Sequence, residues 1–166
     1  MKNLTRIASA AVLATGLAVS GASVAGAATT GGVVDFTQGG ATSGASIEQA
    51  SDLSELAGTS QPFTDFIGGE LEKAQQAGEG CPGAAHAVTV AAYSPDGYAA
   101  GSVNDCGGHE SLWKFDRASG QWTEFLGTQD IPECGVLRDA NFSAEVYRIG
   151  MGGECLEGGQ TVPYQG

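Results

Sequence analysis

The stretch AVTVAAYSPDGYAAGSVNDCGGHESLWKFDRASGQW, Ala87 to Trp122, decides the fold. Ala87 to Tyr93 is small and β-branched, and Val88 and Val90 stand two apart, on one side of an extended chain. Pro95-Asp96-Gly97 follows as a turn, because proline presets φ and glycine accepts the positive φ of a reversal. Tyr98 to Val103 returns as a second strand. Ser111 to Phe115 and Trp122 to Leu126 form a second hairpin around Asp116 to Gln121, with Trp113 and Phe115 on one face. The sequence thus predicts a four-stranded antiparallel meander, and an apolar sheet face needs a cover.

Ser94, Pro95, Asp96, Gly97, Gly101, Ser102, Asp105, Leu112 and Trp113 give Val88 to Trp113 a pattern that resembles a WD-type propeller repeat. Propellers close with about four blades or more, and these 166 residues hold no second copy. Cys106, Gly107, Gly108 and His109 also interrupt the pattern before the Trp strand. The resemblance therefore implies a twisted meander and no scaffold role.

The cover is expected from Pro62 to Gln76, where Phe63, Phe66, Ile67, Leu71 and Ala74 recur at helical spacing. Pro62 suits a first helical position, Ser60 or Gln61 can cap it, and Gly78 and Gly80 end it. Residues 28–60 read as a flexible linker, since Gln38 to Ser46 is Gly, Ala, Ser and Thr almost throughout. A short helical piece, Ile47 to Leu56, lies within it. After the meander, Ile131 to Arg138 reads as a short helix, Phe142 to Ile149 fits helix or strand, and the chain from Gly158 reads as loose. The expected architecture is α+β: an N-terminal helix packed on a four-stranded antiparallel β-meander, with a small disulfide-bracketed C-terminal unit, in one domain spanning 61–166.

Residues 1–27 read as a secretory signal peptide: Lys2 and Arg6, an apolar run from Ile7 to Val19, then Ala25-Gly26-Ala27 as a small-x-small cleavage site. That run is shorter than the about 20 residues a membrane span needs. Beyond residue 27 stand five basic and 19 acidic side chains, a net charge of −14. Such a chain is repelled by phosphate backbones and anionic lipid, so nucleic acid and membrane are not expected partners. An extracellular protein or a glycan is.

Cys81, Cys106, Cys134 and Cys155 form an even set in an exported chain, which predicts two disulfides. Four cysteines allow three pairings; Cys81 with Cys106 is favoured because a hairpin centred on Asp96 brings their ends together, leaving Cys134 with Cys155. The competing chemistry is zinc bound by Cys81, His86, Cys106 and His109 as a tetrahedral set, which requires the thiols to escape oxidation. Hydrolysis has thinner support. His109 beside Glu110 with Asp105 nearby supplies titratable groups, but there is no Gly-x-Ser-x-Gly elbow, phosphate loop or calcium loop. No catalytic residue and no cofactor is assigned. The aromatic side chains Tyr93, Tyr98, Trp113 and Trp122, with Phe125, gather in the meander and form the expected binding surface, since a single sheet has two faces and the helix covers one; the alternative is that the tail Ile131 to Ile149 covers the second face. The sequence thus favours a secreted, non-catalytic binding or inhibitory module, with a small secreted hydrolase or a zinc-binding domain as alternatives; Asn104 to Glu110 and Asp116 to Gln121 are the candidate inhibitory loops.

Overall fold

The computed structural model describes residues 28–30, 32–38, 44–78, 80–81, 83 and 85–166. The expected signal peptide, 1–27, lies outside them. The meander is present as four antiparallel strands, β4 (Ala87–Ser94), β5 (Tyr98–Asn104), β6 (His109–Asp116) and β7 (Gln121–Thr128). Its first turn closes through Gly97 N–H donating to Ser94 O at 3.0 Å, with Gly97 at φ +101°.

The sheet is larger than four strands. Three short strands, β1 (Ala28–Thr30), β2 (Val33–Asp35) and β3 (Ala45–Ile47), precede a 3-10 helix at Ala50–Glu55. The sheet runs β1-β2-β4-β5-β6-β7, and β3 also pairs with β4. β2 takes Ala92 and Tyr93 of β4, whereas β3 takes Val88 to Val90. Three segments of the 28–60 stretch expected to be linker are therefore sheet, while residues 39–43, within the Gly/Ala/Ser/Thr run, lie outside the described residues. The cause is the long partner strand: three-residue segments do not stand alone, but β4 offers them a complete row of backbone donors and acceptors. Burial adds to it, because Val34 faces one apolar core and Val33 the other.

One core lies between the sheet and α1 (Gln61–Gly78), the helix the apolar spacing predicts. Phe63, Ile67, Leu71 and Ala74 are buried against Val88, Val90, Trp113 and Trp122, and Phe66 is half-buried beside them. The Phe63 ring lies 4.7 Å from that of Trp122 and 4.9 Å from that of Tyr93. Such tilted and edge-on contacts are what aromatic quadrupoles prefer.

The second core fills the opposite face. There α2 (Cys134–Asp139), α3 (Ala144–Met151) and the hairpin of β8 (Glu154–Glu157) and β9 (Gln160–Pro163) bring Leu137, Phe142, Val146, Tyr147 and Tyr164 onto Ala92, Ala100 and Leu112. The segment that fits helix or strand is helical: Ser143 Oγ accepts from Val146 N–H at 3.4 Å, and Gly152 ends α3 in the left-handed region. The end expected to be loose is ordered: β9 pairs with β8, and buried Tyr164 donates through its hydroxyl to Phe142 O at 3.0 Å. Disulfides join Cys81 to Cys106 and Cys134 to Cys155, with Cα atoms 5.7 and 5.0 Å apart. The first ties the end of α1 to the β5–β6 connection, and the second ties α2 to β8. Among the described residues no helix is long and apolar enough to cross a membrane.

Candidate functional site

The expected binding surface is mostly inside the protein. Tyr93, Trp113 and Trp122 are 4 %, 0 % and 8 % exposed, all beneath α1. The meander's aromatic side chains alternate between faces, and the richer face is the one the helix covers. Tyr98 points the other way, packing edge-on against Phe142 at 5.3 Å between ring centroids.

Tyr98 also borders a cleft of about 700 Å³ that crosses the sheet at its turn end. Asp96 and Gly97 of the first turn, Lys114 and Asp116 at the end of β6, and Thr123 and Phe125 of β7 complete most of its lining. The Phe125 ring is stacked on Phe142 at 6.1 Å, which fixes the wall beside β7. Lys114 Nζ donates to Ala140 O at 2.6 Å and sits 5.8 Å from the centre of the Tyr98 ring. The Arg117 guanidinium, also in the lining, donates to Asp96 O at 3.3 Å. These two cations, of only five beyond residue 27, are thus drawn to one place and held by carbonyl oxygens. Asp116 is turned back on its own hairpin: the Ser119 hydroxyl and the Ala118 N–H hold its carboxyl below the usual carboxylate range.

A second constellation lies where the opposite ends of β6 and β7 meet. His109 Nε2 is 2.9 Å from Glu124 Oε1, and Ser111 Oγ donates to that same oxygen at 2.7 Å. The set has the membership of a hydrolytic triad in the wrong order. Nucleophile activation needs the imidazole between hydroxyl and carboxylate, so that the base can take the hydroxyl proton. Here the carboxylate is in the middle, and Ser111 is fully buried. The neighbouring acids differ. The backbone N–H groups of Gly107 and Cys106 hold the Asp105 carboxyl low, while burial pushes that of Glu110 up.

The residues weighed for zinc are separated chemically. Cys81 and Cys106 are bonded to each other, so neither is a thiolate. His86 Nδ1 lies 2.8 Å from Asp105 O, while His109 belongs to the Glu124 set. The loops weighed as inhibitory are both short and tied down: Cys106 N–H donates to Asp105 Oδ1 at 2.6 Å and Gln129 Nε2, from beyond β7, to Gly108 O at 2.7 Å, while Gly120 N–H donates to Asp116 O at 2.8 Å. Of the cleft residues, Tyr98 and Phe125 are among the aromatic side chains expected at the surface and Arg117 lies in the candidate loop Asp116 to Gln121, whereas Lys114 and Thr123 are missing from the sequence-based surface. Alternation along β5 and β6 puts Tyr98 and Lys114 on one face, but which face stays open depends on where α1 docks.

No protein-family model, no curated protein and no solved structure matches this chain.

Proposed function

We propose that the protein is an exported, non-catalytic binding module whose ligand seat is the cleft between Tyr98, Lys114 and Phe125, with inhibition of a secreted enzyme as one consequence of such binding. The observation that carries this reading is the cleft itself. It combines fixed aromatic walls with two tethered cations, the mixture of apolar surface and a few placed polar groups that ligand sites use. The two disulfides fit an oxidising, extracellular setting. A hydrolase is the weaker reading, because the single His–Ser–carboxylate set among the described residues has the carboxylate where the base belongs.

The test is binding by the purified protein against a panel of extracellular glycans and secreted proteins, with Thr123→Arg as the control. Thr123 is exposed and lines the cleft, so the arginine fills the seat without touching either core. Thr123→Arg is expected to lose binding at unchanged thermal stability. Ligands held equally by this variant, or turnover of a hydrolase substrate panel by the wild-type chain, would refute the reading.

A further inference from the structure

We infer that the cleft is the side-chain pocket of a strand-addition site: an extended polypeptide pairs with the free edge of β7, with a cation opposite Glu124 and a β-branched or aromatic residue opposite Thr123. This rests on the cleft being the ligand seat and adds the class of ligand and its register.

The backbone argument comes first. β7 is the last strand of the sheet, and among the described residues nothing pairs with its outer side. Phe115 N–H donates to Gly97 O at 2.9 Å, so Phe115 turns its backbone groups toward β5. By alternation its neighbours Lys114 and Asp116 turn theirs toward β7, where they oppose Thr123 and Gln121. Thr123 and Gln121 are therefore bonded inward, and the N–H and C=O of Trp122 and Glu124 point outward. They form a short ladder ready for one more strand. The register shift after Glu124 ends the ladder there, so the guest strand has one register.

The side chains name the guest. Residues opposite each other in a sheet share a face. The guest residue opposite Thr123 stands on the cleft side of the sheet, at the rim formed by Thr123 and Phe125, with Lys114 on the far side of Thr123. Lys114 is occupied by Ala140 O, so this position favours a β-branched or aromatic side chain over a carboxylate. The guest residue opposite Glu124 stands beside a carboxylate whose Oε1 is held by His109 and Ser111 and whose side chain is one-third exposed, so Oε2 is the oxygen that favours Lys or Arg. The net charge of −14 beyond residue 27 draws a basic segment in and opposes edge-to-edge pairing of two copies. For an antiparallel guest the order is cation, then β-branched or aromatic residue, then a residue opposite Trp122.

The probe is the peptide acetyl-Ser-Thr-Arg-Val-Thr-Ser-amide, titrated into the full exported chain and followed by amide hydrogen exchange and by NMR shifts. In the free protein the Trp122 and Glu124 amides should exchange far faster than that of Thr123. The peptide should protect Trp122 and Glu124. N-methylation of its Arg and of the Thr that follows Val, whose N–H groups face β7, should weaken binding about fivefold or more per blocked bond. N-methylation of Val, whose N–H faces away, should be tolerated, and Arg→Glu in the peptide should weaken binding at low salt. Shifts at Tyr98, Lys114 and Phe125 without protection of the Trp122 and Glu124 amides would overturn strand addition while leaving the cleft as the seat. Equal sensitivity to N-methylation at Val and at Arg would also overturn it, and so would no binding of the peptide at millimolar concentration. In that last case the cleft reading stands or falls on its own ligand panel.

Discussion

Gly150→Ala sets two effects of opposite sign against each other. Gly150 lies near the end of α3, where alanine is intrinsically better in a helix by about 1 kcal/mol. A Cβ built there would stand 2.3 Å from the Cβ of Ala100, a fully buried residue of β5. Carbon atoms in contact prefer about 3.5–4.0 Å, so α3 would have to back away from the sheet by roughly 1–2 Å. Ala100 has no rotamer through which to yield, and retreat would loosen Val146 and Tyr147 beneath the same helix. Overpacking of this kind costs about 1–3 kcal/mol, and the clash is with an atom rigidly fixed to backbone. Sterics win, and a net destabilisation of up to about 2 kcal/mol is expected. The assay is denaturant unfolding with both disulfides intact, followed by tryptophan fluorescence. A double-mutant cycle with Ala100→Gly isolates the contact: with no Cβ opposite, Gly150→Ala should become neutral or stabilising, giving a coupling of about 1–3 kcal/mol. A stabilising Gly150→Ala in the wild-type background, or additive effects in the cycle, would mean that α3 does not sit on β5.

Phe63→Ala removes the ring at the centre of the aromatic cluster and should cost about 3–5 kcal/mol in the same unfolding assay. Replacing Cys134 and Cys155 together by alanine opens a loop with a sequence separation of 21 and should cost roughly 3 kcal/mol by the chain-entropy argument; intact mass should first show four hydrogens fewer in the wild-type chain than after reduction. Tyr147 is buried, and that burial, with the Glu154 carboxylate adding to it, pushes its phenol up to about 12. Its folded pKa lies above the unfolded one near 10, so its contribution is whole below about pH 10 and is lost as pH climbs through about 12. Unfolding midpoints measured from pH 9 upward should therefore fall in that window, and Tyr147→Phe should flatten the fall; a variant with the same slope as wild type would contradict the assignment.

The legible parts of this protein are those set by local pattern. The SPDG turn, the period-two alternation of Val88, Val90, Trp113 and Phe115, and the helical spacing of Phe63, Ile67, Leu71 and Ala74 are each written in residues close together in the chain. The disulfide pairing was legible for the same reason, because one hairpin carries Cys81 and Cys106 to its open end. The strands β1 to β3 were not legible. Val33 and Val34 fill two different cores, so they lack the alternation that marks a strand, and their partner β4 lies more than fifty residues away. The site was divided in the same way. Sequence determined that aromatic residues concentrate in the meander and that the chain carries few cations. Only the tertiary structure decided that α1 takes the face of Tyr93, Trp113 and Trp122, that Phe142 braces Tyr98 and Phe125 on the other, and that β7 is left at the edge. A sheet's two faces and two edges are equivalent until something docks on them, and what docks here comes from distant parts of the chain.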